Sequence, residues 1–120
     1  MSDPLTSSVS PQKPTRRFPR YVVDLRVSIS AFRKDGPISL WGRSHELGED
    51  GIGATLTGEL DPGEVVSMEM ALPHSSFPVK IRAVVRYRQG LRHGFEFLTL
   101  NEEQRQAVCR VCEMLAASAL

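Results

Sequence analysis

Tyr21-Val22-Val23-Asp24-Leu25-Arg26-Val27-Ser28-Ile29-Ser30-Ala31 alternates apolar and polar residues at a period of two. Val23, Leu25, Val27, Ile29 and Ala31 fall on one side; Asp24, Arg26, Ser28 and Ser30 fall on the other. Side chains of an extended strand point to opposite faces in turn, so the pattern predicts a strand with one buried face and one wet face. The alternation returns downstream. Val66, Met68, Met70 and Leu72 follow the turn Leu60-Asp61-Pro62-Gly63-Glu64, and Phe77, Val79, Ile81, Ala83, Val85 and Tyr87 follow Pro73-His74-Ser75-Ser76. Lys34-Asp35-Gly36-Pro37 reads as a turn into a second strand over about residues 38–47. Residues 48–53 carry too many glycines for a plain strand and predict a tight bend or bulge before a third strand at 52–57. Gln89-Gly90 closes a hairpin into residues 91–98. Six strands at this short spacing predict a small antiparallel barrel or sandwich, with Trp41, Met68 and Met70 in its core.

After residue 100 the period changes from two to between three and four. Ala107, Val108, Val111, Cys112 and Leu115 give one apolar face, which predicts a helix over 101–117. Asn101 and Gln104 stand at capping-box spacing, and Glu102 and Glu103 oppose the positive end of the helix dipole. At the other end of the chain, residues 1–15 hold three prolines, four serines and two threonines with little to bury, which reads as a disordered tail. The predicted organisation is therefore that tail followed by one domain over 16–117.

Composition excludes several function classes. A chain of 120 residues supports one hydrophobic core, and a formal net charge of +1 is not that of a general nucleic-acid binder, so no DNA partner is expected. A single-strand nucleic-acid module is further weakened by the few aromatics. No apolar run is long enough to span a membrane, and no charged start followed by an apolar stretch suggests a secretory signal, so a cytoplasmic protein is expected. Cys109 and Cys112 fall inside the predicted helix, without the second ligand pair that zinc would need, and read as core or partly exposed thiols. His45, His74 and His93 are scattered, and no nucleophile, acid–base pair or phosphate loop stands out. The expectation is a non-enzyme without metal or cofactor.

The concentrated charge is Arg16-Arg17-Phe18-Pro19-Arg20, where the tail meets the first strand. Three guanidinium groups this close repel one another, so an anionic or planar ligand is the natural reason for them; Arg both forks onto phosphates and stacks on bases. A solvated basic linker is the plain alternative. Downstream stands Glu46-Leu47-Gly48-Glu49-Asp50-Gly51-Ile52-Gly53, whose acids could face water or pair with the arginines.

Together these two motifs resemble the PilZ domain, a bacterial β-barrel that binds cyclic di-GMP. Its signature is Arg-x-x-x-Arg before the first strand and Asp/Asn-x-Ser-x-x-Gly between the second and third. The resemblance extends through His93-Gly94-Phe95-Glu96-Phe97 and the closing helix. It implies an all-β fold with a C-terminal helix, a six-stranded antiparallel barrel. It also implies that Arg16 and Arg20, assisted by Arg17, bind cyclic di-GMP with Glu46, Gly48 and Gly51. Arg can pair with guanine O6 and N7 or stack on the base, and a carboxylate suits guanine's donor edge. The second motif departs from the family pattern at Glu46, one methylene longer than Asp, and at Gly48, which lacks the Ser hydroxyl but lets a ligand approach closely. A lost neutral hydrogen bond costs about 0.5–1.5 kcal/mol, so both changes together weaken binding by roughly ten- to a hundredfold. Restoring Asp at 46 and Ser at 48 is expected to tighten it. The function implied is a receptor whose Arg loop orders on the ligand and alters contacts with an effector protein. The alternative is a PilZ-like adaptor that binds no nucleotide and acts through protein contacts, for instance with motility or pilus machinery.

Overall fold

The computed structural model describes residues 17–118; the predicted tail at 1–15 and Arg16 lie outside the described residues. Seven strands and one helix follow in order: β1 (Tyr21–Val22), β2 (Arg26–Arg33), β3 (Gly36–Gly48), β4 (Gly51–Leu56), β5 (Val65–Met70), β6 (Val79–Gln89), β7 (Arg92–Phe97) and α1 (Glu102–Ser118). All pairings are antiparallel, in the order β1-β3-β2-β5-β6-β7-β4, and a further β3–β4 pairing closes β2 to β7 into a six-stranded barrel. Closure leaves the short β1 as an edge strand laid against β3.

β3 closes the barrel because it is long enough to serve two neighbours. Its first part pairs with β2 from Gly36 to Arg43, and its second with β4 from Gly42 to Gly48. Inward residues of the six strands, among them Val27, Ile29, Ile52, Met68, Met70, Ile81, Val85 and Phe95, fill the interior. Val108, Val111 and Cys112 of α1 complete this core. The helix begins on the predicted capping box. Asn101 Oδ1 accepts from the Gln104 N–H and Gln104 Oε1 accepts from the Asn101 N–H, each at 2.7 Å.

The structure departs from the sequence expectation at three places. The expected strand from Tyr21 to Ala31 is interrupted at residues 23–25, where Ser44 intervenes. Its hydroxyl donates to the Val23 carbonyl (2.6 Å) and accepts from the Leu25 N–H (2.8 Å), satisfying backbone groups that no ladder reaches. The strand expected from Phe77 starts at Val79, and Phe77 is solvent-exposed. Trp41, expected in the core, is 57% exposed, because its position in β3 faces outward between inward-leaning Leu40 and buried Gly42.

His93 points inward and is wholly buried. Its Nε2 accepts the Leu60 N–H at 3.0 Å, which leaves Nδ1 to donate to the Leu91 carbonyl at 2.8 Å. These contacts hold the neutral ring, and burial lowers its pKa below the usual histidine value.

Candidate functional site

Two β-bulges build the outer face on which the sequence motifs meet. In β3 the register shifts between Ser44 and Glu46. Ser44 is buried and Leu47 is buried, so the extra residue turns Glu46 outward where plain alternation would have sent it inside. A second shift in β6, between Val85 and Tyr87, turns Tyr87 outward in the same way. The ladder then aligns the two residues. Glu46 pairs with Gly53, Gly53 with Gly94, and Gly94 with Tyr87, one rung across four strands. Both inner positions are glycine because the end residues lie over them. Glu46 Cγ is 3.2 Å from where a Gly53 Cβ would stand, and the Tyr87 ring occupies the space of a Gly94 Cβ.

Arg20 enters this face from the loop ahead of β1. Its Nη1 donates to Glu46 Oε2 at 3.1 Å, and its Nε stands 3.7 Å from Asp50 Oδ1, too long for a hydrogen bond. Arg20 Nε and Asp50 Oδ1 are both buried and without a hydrogen-bond partner. A buried polar atom left unmade carries a penalty of about 1–3 kcal/mol, so the pair is a place where a polar ligand group would be gained. The Arg20 chain crosses the two glycines of the second motif. A Cβ at Gly48 would sit 2.7 Å from Arg20 Cδ and 2.9 Å from the Pro19 carbonyl oxygen. At Gly51 a Cβ would run into the Phe95 carbonyl oxygen and reach 3.1 Å from Arg20 Nη2. The glycine at 48, read from sequence as room for a ligand, is here room for Arg20.

The Arg17 guanidinium lies 5.7 Å from the centroid of the neighbouring Phe18 ring and stays exposed. Glu49 accepts a hydrogen bond from Cys109 Sγ at 3.2 Å and so ties the turn to α1. Burial, reinforced at Cys109 by Glu49, pushes the thiols of Cys109 and Cys112 up to about 11, so both are protonated and poorly nucleophilic near neutrality. A cleft of about 190 Å³ opens beside Asp50 between Phe18, Leu98 and Arg105. Among the described residues no group of three or more His, Cys, Asp or Glu is placed to hold a metal, and no helix is long and apolar enough to cross a membrane.

Sequence reading misses Tyr87, Gly53 and Gly94 as parts of this face, whereas the acids of the turn, Asp50 among them, are open there to pairing with the arginines. Gly53 within β4 and Gly94 within β7 are the available signal for close approach from outside. The outward turn of Tyr87 has none, because a bulge is a property of the pairing.

The family model of the PilZ domain matches residues 14–113. None of the curated proteins matches the chain. Among solved structures, the PilZ domain of Escherichia coli YcgR with c-di-GMP superposes with a TM-score of 0.69 at 19% identity, covering 88% of this chain and 95% of that one. Bacillus subtilis MotI/DgrA, an inhibitor of motility, gives 0.67 at 20% identity over 88% of this chain and 53% of its own. The K. pneumonia MrkH–c-di-GMP complex gives 0.70 at 14% identity over 89% of this chain and 55% of its own. This chain thus spans about half of the last two.

Proposed function

Because this chain belongs to the PilZ domain family, we propose that it is a single-domain receptor for cyclic di-GMP, with its domain over residues 16–117. The observation that carries this reading is the meeting of the two motifs: Arg20 reaches Glu46 across Gly48 and Gly51 while leaving Nε and Asp50 Oδ1 unsatisfied. Arg20, with Arg16 and Arg17 from the loop, grips a phosphate or the Hoogsteen edge of a guanine. Glu46 accepts from the guanine's N1–H and amine. The glycine rung lets Glu46 and the Tyr87 ring lie close against the sheet, and the outer face of the exposed Tyr87 ring supplies a stacking face for a base.

Without ligand, Arg20 and Glu46 hold each other. Binding exchanges that ion pair for contacts with the dinucleotide and orders the arginine loop, and the changed surface reaches an effector protein. Cyclic di-GMP is a bacterial messenger made and read inside the cell, so a cytoplasmic place of action follows from the same reading. The adaptor alternative draws on one observation: Arg20 already has an acidic partner, which a ligand must displace.

Calorimetric titration with cyclic di-GMP separates the two. The receptor reading expects saturable heat, abolished in Arg20→Ala and weakened about tenfold in Tyr87→Ala, as loss of one stacking contact implies. Absence of heat at ligand concentrations of tens of micromolar would leave the adaptor. Heat that persists in Arg20→Ala would move the site elsewhere.

A further inference from the structure

Between β2, β5, β6 and the start of α1 lies a groove of about 510 Å³, lined among others by Phe32, Val65, Lys80, Arg82 and Gln104. Several of its groups, Phe32, Val65 and Arg82, take no part in holding the fold together. Phe32 is 78% exposed at the end of β2, since Ala31 takes the inward position, and Val65 is exposed at the start of β5. Among the described residues no carboxylate pairs with Arg82, while Lys80 has only a loose, solvent-facing contact of 3.6 Å with Glu69. Gln104 spans the rim, donating its side-chain amide to the Lys80 carbonyl at 2.6 Å.

An exposed aromatic beside an unpaired arginine in a concave surface has the composition of a protein-contact site. We propose that this groove docks an acidic segment of a partner protein, its Leu or aromatic anchor set against Phe32 and Val65 and its carboxylates on Arg82 and Lys80. Charge complementarity selects this occupant. Two cations at the edge of a concave apolar floor match a short acidic peptide, whereas a nucleic acid or an anionic membrane requires a broad basic face. The site goes beyond nucleotide binding, and its residues are distinct from Arg20, Glu46 and Tyr87. Backbone contacts connect the two faces: Phe97 N–H donates to the Asp50 carbonyl (2.9 Å) and Leu98 N–H to the Arg82 carbonyl (2.8 Å).

The test is selection of a random dodecapeptide pool, displayed on phage, against the whole chain, with synthetic copies of the winners measured by fluorescence polarisation. The expected winners combine clustered Asp or Glu with Leu, Phe or Trp. Their binding falls about tenfold or more in Arg82→Glu and in Phe32→Ser, as at interface hot spots, and is unchanged in Arg20→Ala. Added salt weakens it. Both altered residues are surface groups, and an unchanged circular-dichroism melt verifies folding of each variant. Failure to enrich, basic or uncharged winners, or winners that still bind Arg82→Glu would overturn the proposal. So would a concentration-dependent dimer in sedimentation equilibrium that Phe32→Ser dissolves, because the occupant would then be a second copy of the chain.

Discussion

Arg20 is held by a carboxylate one methylene longer than aspartate and lies where any side chain at position 48 would stand. The two departures from the family motif therefore compensate each other: the missing side chain admits the arginine, and the longer acid reaches it. Gly48→Ser alone is expected to push Arg20 off Glu46 and weaken cyclic di-GMP binding by several-fold, about 1 kcal/mol. Glu46→Asp with Gly48→Ser, which draws the acid back as it fills the space, is expected to regain that loss and bind at least as tightly as the natural chain. A double-mutant cycle by calorimetry checks this, and strictly additive effects would contradict the coupling. The sequence motifs single out Arg20, Glu46 and Gly48, but not that Arg20 occupies the space at Gly48, because a contact between residues remote in sequence depends on the path of the chain.

At the scale of elements, α1 reads cleanly from sequence because its signals are local: a reciprocal cap within four residues and one apolar stripe. Asn101→Ala removes the acceptor for the Gln104 N–H and is expected to cost about 1 kcal/mol of stability in urea unfolding, with no change in nucleotide affinity if the cap acts only on the helix. Strands are legible as alternations, but their ends and bulges are not. The bulges at Ser44/Glu46 and Val85/Tyr87 lie in the hairpin pairings β3–β4 and β6–β7, where one strand carries an extra residue against its partner, which alternation read along a single strand does not reveal. A large apolar residue is usually buried, which is the ground for expecting Trp41 in the core; its outward parity in β3 prevails over its side chain.

At the scale of the whole molecule, the closed barrel encloses His93 as a neutral ring that bridges Leu60 and Leu91. Burial lowers the His93 pKa in the fold, and His45 is lowered chiefly by burial too. The unfolded chain therefore takes up protons first as pH falls through the ordinary histidine value of 6.5. Stability present above that pH is lost below it. The urea midpoint is expected to drop between about pH 7.5 and pH 5.5, and to drop less in His93→Gln, whose amide oxygen still accepts from Leu60. A midpoint independent of pH across that range would contradict a buried neutral ring. The alternating strands, the turn chemistry, the helix cap and the two motifs are all present in the order of residues, because each depends on neighbours within a few positions. Closure of the barrel decided the rest. It set which strands share a rung, turned Glu46 and Tyr87 out to the ends of a glycine floor, and left Phe32 and Arg82 in an open groove, since pairing register and exposure depend on residues that only folding brings together.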